Sequence, residues 1–210
     1  MARIKAIIFD MDGVLIDAKE WHYQALNKAL ALFGYEISLA EHIASYDGLS
    51  TKTKLSKLSL EKGLPCYLHS FINEMKQQYT MTMIQNLCRP LFTHEYALSM
   101  LKAEGFQLAV ASNSIRITVE MMMQYARLRQ YLNFMLSNQD VQNPKPNPEI
   151  YLTAIQRLSL SPNECLIIED NENGIQAALG SGAHLLHVRT VHDVTYEAIK
   201  KRISEIEGSL

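Results

Sequence analysis

The sequence predicts an α/β fold: an open, Rossmann-like parallel sheet with helices on both faces, interrupted after its first strand by an all-helical insertion. Three observations carry this. Short apolar runs without polar alternation, the pattern of strands buried on both faces, recur at residues 4–9, 108–111, 134–136, 165–168 and 185–188. Apolar residues at helical spacing accompany the last four runs, at 96–103, 115–128, 149–158 and 174–179, and strand alternating with helix implies a parallel sheet. Between the first run and the second lies a stretch far longer than one crossover, with helical patterns at 19–33, 55–62 and 67–85 and no strand-like run.

The element boundaries have local causes. Pro90 stops the helix before it, so the insertion ends near Cys88-Arg89-Pro90, and it begins near Asp17. The expected division is a core domain of residues 1–16 and 88–210 and a helical domain of 17–87, which a chain of 210 residues has the length to support. Ser161-Pro162, Gly180 and Gly182 punctuate the second half. Gly180-Ser181-Gly182 follows a helix and lacks the third glycine of a dinucleotide fingerprint, so it reads as a turn. Met121-Met122-Met123 points to different faces of its helix and reads as core filling.

Composition narrows the function. With 20 basic and 22 acidic residues the net charge is -2, so no global field favours nucleic acid or an anionic membrane, and the expected partner is a small molecule. Three widely spaced cysteines, Cys66, Cys88 and Cys165, form no CxxC pair and suggest neither a disulfide framework nor a zinc site. The apolar run 6–9 is too short for a signal peptide, and no stretch approaches the roughly 20 residues that span a bilayer. A soluble, cytoplasmic protein is expected, and the sequence does not decide between a monomer and a simple homo-oligomer.

The chemistry follows the strands. The first run ends in Asp10-Met11-Asp12-Gly13, the second in Ser112-Asn113-Ser114, the third leads to Lys145, and the fourth ends in Glu169-Asp170. Ligands of open parallel sheets bind outside the carboxyl ends of the strands, so these residues should converge on one crevice. Four carboxylates against one lysine repel, by about 4 kcal/mol for a like pair at 4 Å and an effective dielectric of 20, and such a group calls for a cation. All-oxygen ligands favour a hard ion, and few protein ligands leave room for water and phosphate, as magnesium prefers. Serine hydroxyl and lysine ammonium then hold phosphoryl oxygens, and a carboxylate at the strand tip is placed to attack phosphorus.

These residues stand in four motifs: Ile7-Ile8-Phe9-Asp10-Met11-Asp12-Gly13-Val14-Leu15-Ile16-Asp17, Ala111-Ser112-Asn113-Ser114, Lys145-Pro146-Asn147-Pro148-Glu149-Ile150-Tyr151, and Ile168-Glu169-Asp170-Asn171-Glu172-Asn173-Gly174. In this order the chain resembles the haloacid dehalogenase superfamily, in the helical-cap branch that includes beta-phosphoglucomutase and many small-molecule phosphatases. The resemblance implies that Asp10 is nucleophile and metal ligand, and that Asp12 is general acid and then base, its backbone carbonyl also reaching the metal. It implies that Ser112, with Asn113 beside it, binds the phosphoryl group and that Lys145 pairs with Asp10 and the phosphoryl oxygens. Asp170 ligates Mg2+ and Glu169 stands in the inner or the outer shell. In the helical insertion His22 either faces the substrate or packs in the cap core, and the loop 46–54 resembles the substrate-selecting loop. Lys52 is a candidate substrate contact there, although Lys52 and Lys54 also read as solvated helix charges.

The expected function is a magnesium-dependent phosphatase acting on a small phosphorylated metabolite, a sugar or polyol phosphate, through an aspartyl phosphate. The alternative is a phosphohexomutase of the beta-phosphoglucomutase type. It is disfavoured because no arginine stands between Arg3 and Arg89, and arginine is the usual bidentate clamp for a second phosphate. Dehalogenation is set aside because family dehalogenases lack the second aspartate, here Asp12, and a non-catalytic ligand-binding protein of the same fold is disfavoured by the intact motifs.

Overall fold

The structure, a computed structural model, describes residues 3–208. Two compact units emerge: Ala18–Leu87, and the chain up to Asp17 together with Cys88 onward.

The Ala18–Leu87 unit is all-helical. It comprises α1 (Lys19–Ala31), α2 (Leu39–Glu41), α3 (Thr51–Lys62) and α4 (His69–Leu87), with α1 packed against α4. Its core joins Leu26, Leu30, Ile37, Tyr46, Leu55, Leu58 and Ile72. Capping sets the joints. Ser38 Oγ accepts the Glu41 amide at 3.3 Å while the Glu41 carboxylate accepts the Ser38 amide at 2.7 Å, and the helix they open widens into a π-helical turn, His42–Tyr46. Ser50 Oγ accepts the Thr53 amide at 3.2 Å to start α3, which ends at Gly63, whose φ of 69° suits glycine.

The other unit holds the sheet. Five parallel strands, β1 (Ala6–Phe9), β2 (Gln107–Ala111), β3 (Phe134–Leu136), β4 (Cys165–Glu169) and β5 (His184–His187), lie in the order β3-β2-β1-β4-β5. The helices are α5 (Phe92–Ala103), α6 (Arg116–Tyr125), α7 (Glu149–Leu158), α8 (Glu172–Gly180) and α9 (Tyr196–Glu207). Every residue of β1 and β4 is buried, which is why these strands read as unbroken apolar runs, whereas the edge strand β5 is only partly covered. Ala6 and Ile8 pack with Ile150, Tyr151, Ala154 and Ile155 of α7 and Ala177 of α8. Ile7 and Phe9 point to the opposite face, and α5 packs against β2 and α9. Each such fully buried Ile or Phe contributes roughly 1.5–3 kcal/mol. The sheet is thus α/β and parallel, as the apolar runs and helical spacings predict.

The chain steps from β1 outward to β3 and then returns to the other side of β1 with β4, so the direction of winding reverses between β1 and β4. That reversal is where an open sheet forms its binding crevice. The Asp10 amide bonds the Ile168 carbonyl at 2.9 Å, holding the tips of β1 and β4 together. Among the described residues no helix is long and apolar enough to cross a membrane.

Candidate active site

Asp10 sits one residue beyond β1 and is 4% exposed. The turn after it folds back sharply: the Gly13 amide bonds the Ile16 carbonyl at 2.7 Å and the Ile16 amide bonds the Met11 carbonyl at 2.9 Å. Gly13 takes a φ of 93°, which a side chain would resist. This turn carries Asp12, whose Oδ2 accepts the Ser114 hydroxyl at 2.9 Å. Ser114 in turn gives its amide to Ser112 Oγ at 3.0 Å. The loop after β2 therefore links the second aspartate to the buried hydroxyl of Ser112.

Lys145 comes from the loop before α7, and its ammonium is buried in a ring of oxygens. It donates to Asp10 Oδ1 at 2.6 Å, Glu169 Oε1 at 2.7 Å, the Tyr151 hydroxyl at 2.7 Å and the Ala111 carbonyl at 2.8 Å. Its backbone is held as firmly. Asn113 Oδ1 accepts the Lys145 amide at 3.0 Å and Asn113 Nδ2 donates to the Lys145 carbonyl at 3.2 Å. Asn113, expected beside the phosphoryl group, thus spends its amide on the loop that presents the lysine. Glu149 steadies the same loop by accepting the Gln142 amide at 2.8 Å and the Asn143 amide at 3.0 Å.

Glu169 ends β4 with no exposed surface. Its Oε1 accepts from Lys145 and, at 2.6 Å, from the Tyr151 hydroxyl. Its Oε2 accepts the Asp170 amide at 3.0 Å and Asn171 Nδ2 at 3.4 Å. Asn171 also caps α8, accepting the Gly174 amide at 3.0 Å. A side-chain carbon added at Gly174 would overlap the Glu169 carboxylate, so only glycine lets α8 start this close to it.

Charge shapes this cluster. Burial raises the Asp10 pKa well above the ordinary aspartate value, Glu169 adds to the rise, and Lys145 pulls against it. Burial opposes the charge on Lys145, yet Asp10 and Glu169 together hold its pKa above the usual lysine value. Burial and then the Glu169 charge push the Tyr151 hydroxyl far up, so it stays a neutral donor. The acids outweigh the base. Asp10, Glu169 and Asp170 each offer an oxygen within 4.8 Å of the others, an all-carboxylate set that fits a hard divalent cation.

The two candidates in the helical unit are placed differently. His22, half-buried on α1, has Nδ1 3.3 Å from Lys76 Nζ of α4. Lys52 is exposed in the first turn of α3. Lys54, read with it as a solvated charge, is instead 8% exposed, because it shares the inward side of α3 with Leu55 and Leu58. Lys76 is equally buried and was not anticipated. Burial lowers the pKa of His42, and the nearby Lys54 charge lowers it further.

The sequence reading also passed over Ser114 and Tyr151 as contributors, although both lie inside the quoted motifs. The one available signal was polar character at motif positions otherwise occupied by core-forming neighbours.

The family model for haloacid dehalogenase-like hydrolases matches residues 7–188. The chain belongs to that family. Relatives of this hydrolase include the phosphorylated carbohydrates phosphatase of Thermotoga maritima, 25% identical over 88% of this chain and 84% of that protein. Another is the fructose-1-phosphate phosphatase of Escherichia coli (strain K12), 26% identical over 89% of this chain and 97% of that protein. Among solved structures, beta-phosphoglucomutase from Clostridium difficile superposes with a TM-score of 0.84 at 22% identity, covering 98% of this chain and 99% of the other, and shares the fold.

Proposed function

We propose that this hydrolase is a magnesium-dependent phosphatase that removes phosphate from a small metabolite, a sugar or polyol phosphate, through an aspartyl phosphate on Asp10. The observation that carries the reading is the buried Asp10 carboxylate, fixed by Lys145 at 2.6 Å beside Asp170 at the tip of β4. The relatives from T. maritima and E. coli, named for phosphorylated carbohydrates and fructose 1-phosphate, support the substrate class.

Asp10 Oδ1 is held by Lys145, which fixes the carboxylate and leaves its other oxygen as the one that would attack phosphorus. Asp12, fixed by Ser114, gives its proton to the leaving oxygen and later takes one from the water that cleaves the acyl phosphate. Ser112, which accepts the Ser114 amide, still has its hydroxyl proton to donate to a phosphoryl oxygen. Asp10 and Asp170 would hold Mg2+, which supplies positive charge against the phosphoryl group, with the Asp12 backbone carbonyl as a further ligand. The helical unit, Ala18–Leu87, serves as the cap that selects substrates, with His22 and Lys52 as contacts.

The runner-up is a phosphohexomutase, and one observation favours it: Lys54 and Lys76 are both buried in the helical unit, where lysine could grip a second phosphate in place of arginine. Phosphatase remains the preferred reading because water needs no such grip to reach Asp12.

The test follows phosphorus NMR of hexose 1-phosphates and polyol phosphates with magnesium, with chelator, and with added hexose bisphosphate. Free phosphate should accumulate in step with dephosphorylated product, stop in chelator and be lost in Asp10→Asn. Bisphosphate-dependent conversion to hexose 6-phosphate would make it a mutase. Undiminished turnover by Asp10→Asn would refute the nucleophile.

A further inference from the structure

The hydroxyl of Tyr151 has no part in the steps above, yet it lies at the centre of the cluster. Tyr151 comes from the first turn of α7, and its ring is fully buried in the core formed with Ile150, Ala154 and Ile155. A phenylalanine would fill that core equally well, and a buried hydroxyl is tolerated only where it is bonded. Here it bridges two charges, accepting from Lys145 Nζ at 2.7 Å and donating to Glu169 Oε1 at 2.6 Å.

The consequence for Glu169 is a matter of counting. A carboxylate has about four acceptor positions, two on each oxygen. Lys145 and Tyr151 take those of Oε1, and the Asp170 amide with Asn171 Nδ2 takes those of Oε2. The carboxylate is thereby committed to donors of its own chain. The ammonium has the complementary excess: three protons face four oxygens, from Asp10, Glu169, Tyr151 and Ala111. It is fixed from all sides, and the ring of Tyr151 lies 4.5 Å from it.

We propose that Tyr151 is a positioning residue: by bridging Lys145 and Glu169 it assigns Glu169 to holding the lysine against Asp10 and leaves the inner shell of the cation to Asp10 and Asp170. This rests on the phosphoryl-transfer reading for its kinetic consequence, but not for its structural one. Without the hydroxyl, Glu169 Oε1 loses the donor it shares with Lys145 and draws the ammonium toward itself, away from Asp10, and the nucleophile would lose its orientation. A phenol that merely secured a metal ligand would act on cation affinity instead.

Tyr151→Phe removes the hydroxyl and keeps the ring. Three measurements separate the possibilities. The first is the nitrogen-15 NMR signal of the Lys145 ammonium in metal-free protein, assigned with Lys145→Arg. In the wild type it should be detectable through slow proton exchange, and in Tyr151→Phe exchange should accelerate. The second is kinetics, where kcat should fall about tenfold, the usual scale for an outer partner, with KM changed less than about twofold. The third is magnesium titration by calorimetry, where the dissociation constant should stay within about twofold of wild type. Glu169→Gln should lower kcat similarly, and the double variant should be no worse than the poorer single variant, because both act on one lysine.

A tenfold or larger loss of magnesium affinity in Tyr151→Phe with kcat retained at saturating metal would make Glu169 an inner-shell ligand and overturn the proposal. Full additivity with Glu169→Gln would overturn it too. So would loss of the native circular dichroism in Tyr151→Phe, which would make the hydroxyl a purely structural bond. Absence of phosphatase turnover in the wild type would refute the proposed function instead, and the ammonium exchange of the metal-free protein would then decide the positioning alone.

Discussion

Replacing Lys145 by methionine tests how the buried charges are balanced. The substitution keeps most of the side chain's volume and removes its ammonium, which lies 2.6 Å from Asp10 and 2.7 Å from Glu169 with all three side chains at least 94% buried. Breaking a buried ion pair by deleting one partner costs about 3–5 kcal/mol, because a charge is left without compensation. Protonation limits that cost. Neutralising one carboxyl whose unfolded pKa is near 4 takes about 5.5 kcal/mol at pH 8 but only about 2 kcal/mol at pH 5.5. In chelator, Lys145→Met should therefore lose roughly 3–5 kcal/mol of unfolding free energy at pH 8 and about 2 kcal/mol or less at pH 5.5. Urea unfolding followed by circular dichroism at the two pH values measures both. A loss under about 1 kcal/mol at pH 8, or one equal at the two pH values, would refute this account of the cluster.

Three other outcomes follow from the same structure. Gly174→Ala should cost about 3 kcal/mol or more and abolish activity, since its methyl would displace the Glu169 carboxylate from Lys145 and Tyr151; thermal unfolding and phosphate release report the two effects. His94 is 1% exposed with Nε2 2.7 Å from the Val191 carbonyl, and burial depresses its pKa. A depressed folded pKa means that the unfolded chain binds the proton more readily, so His94 stabilises the fold above its unfolded pKa near 6.5, and that stability is lost as pH falls through the folded value. The melting temperature should drop between pH 7.5 and 5, and His94→Gln should flatten the drop; an unchanged slope would exclude His94 as its source. Asn113→Ala should lower kcat rather than raise KM if its amide holds the Lys145 backbone, and steady-state kinetics distinguishes this from direct phosphate binding.

How much of this was legible in the sequence depends on the kind of contact. The strands β1 and β4 were legible because burial on both faces leaves an uninterrupted apolar run, and the acids were legible because each stands directly after such a run. The helix α9 was missed although Thr195 caps it and Ile199 and Ile203 are spaced one turn apart, because only those two residues are buried in an otherwise charged stretch. The segment 39–46 was missed for a different reason: three α-helical residues that widen into a π-turn produce no 3.6-residue period. At the site, the bonds of Asn113 to the amide and carbonyl of Lys145 were not legible, because a bond to backbone leaves no complementary side chain to look for. Tyr151 attracts no reading of its own because its hydroxyl meets a carboxylate 18 residues along the chain. Lys54 reads as solvated, and Lys76 attracts no reading, because a lysine seldom is buried and helices with polar residues on every side do not reveal which lysine faces inward.

The cluster's charge explains why folding and substrate binding should depend on different cations. Lys145 lies against both Asp10 and Glu169, so these two acids have a cation of their own chain at bonding distance, and the fold does not need another. Counted together, the carboxylates of Asp10, Glu169 and Asp170, whose oxygens lie within 4.8 Å of one another, outnumber the one ammonium of Lys145. A phosphoryl group arriving with a charge of about -1.5 to -2 meets that excess, and at an effective dielectric of 20 each like pair 4 Å apart costs about 4 kcal/mol. Ser112 offers only a neutral hydrogen bond of about 1 kcal/mol net, which does not offset it, and the Ser114 hydroxyl is already given to Asp12. Under the proposed function Asp10 and Asp170 would hold a divalent cation, whose positive charge would offset that excess. On the proposed function, removing magnesium should therefore abolish turnover while leaving the fold nearly as stable, whereas removing Lys145 should destabilise the fold, because the lysine is part of the folded core.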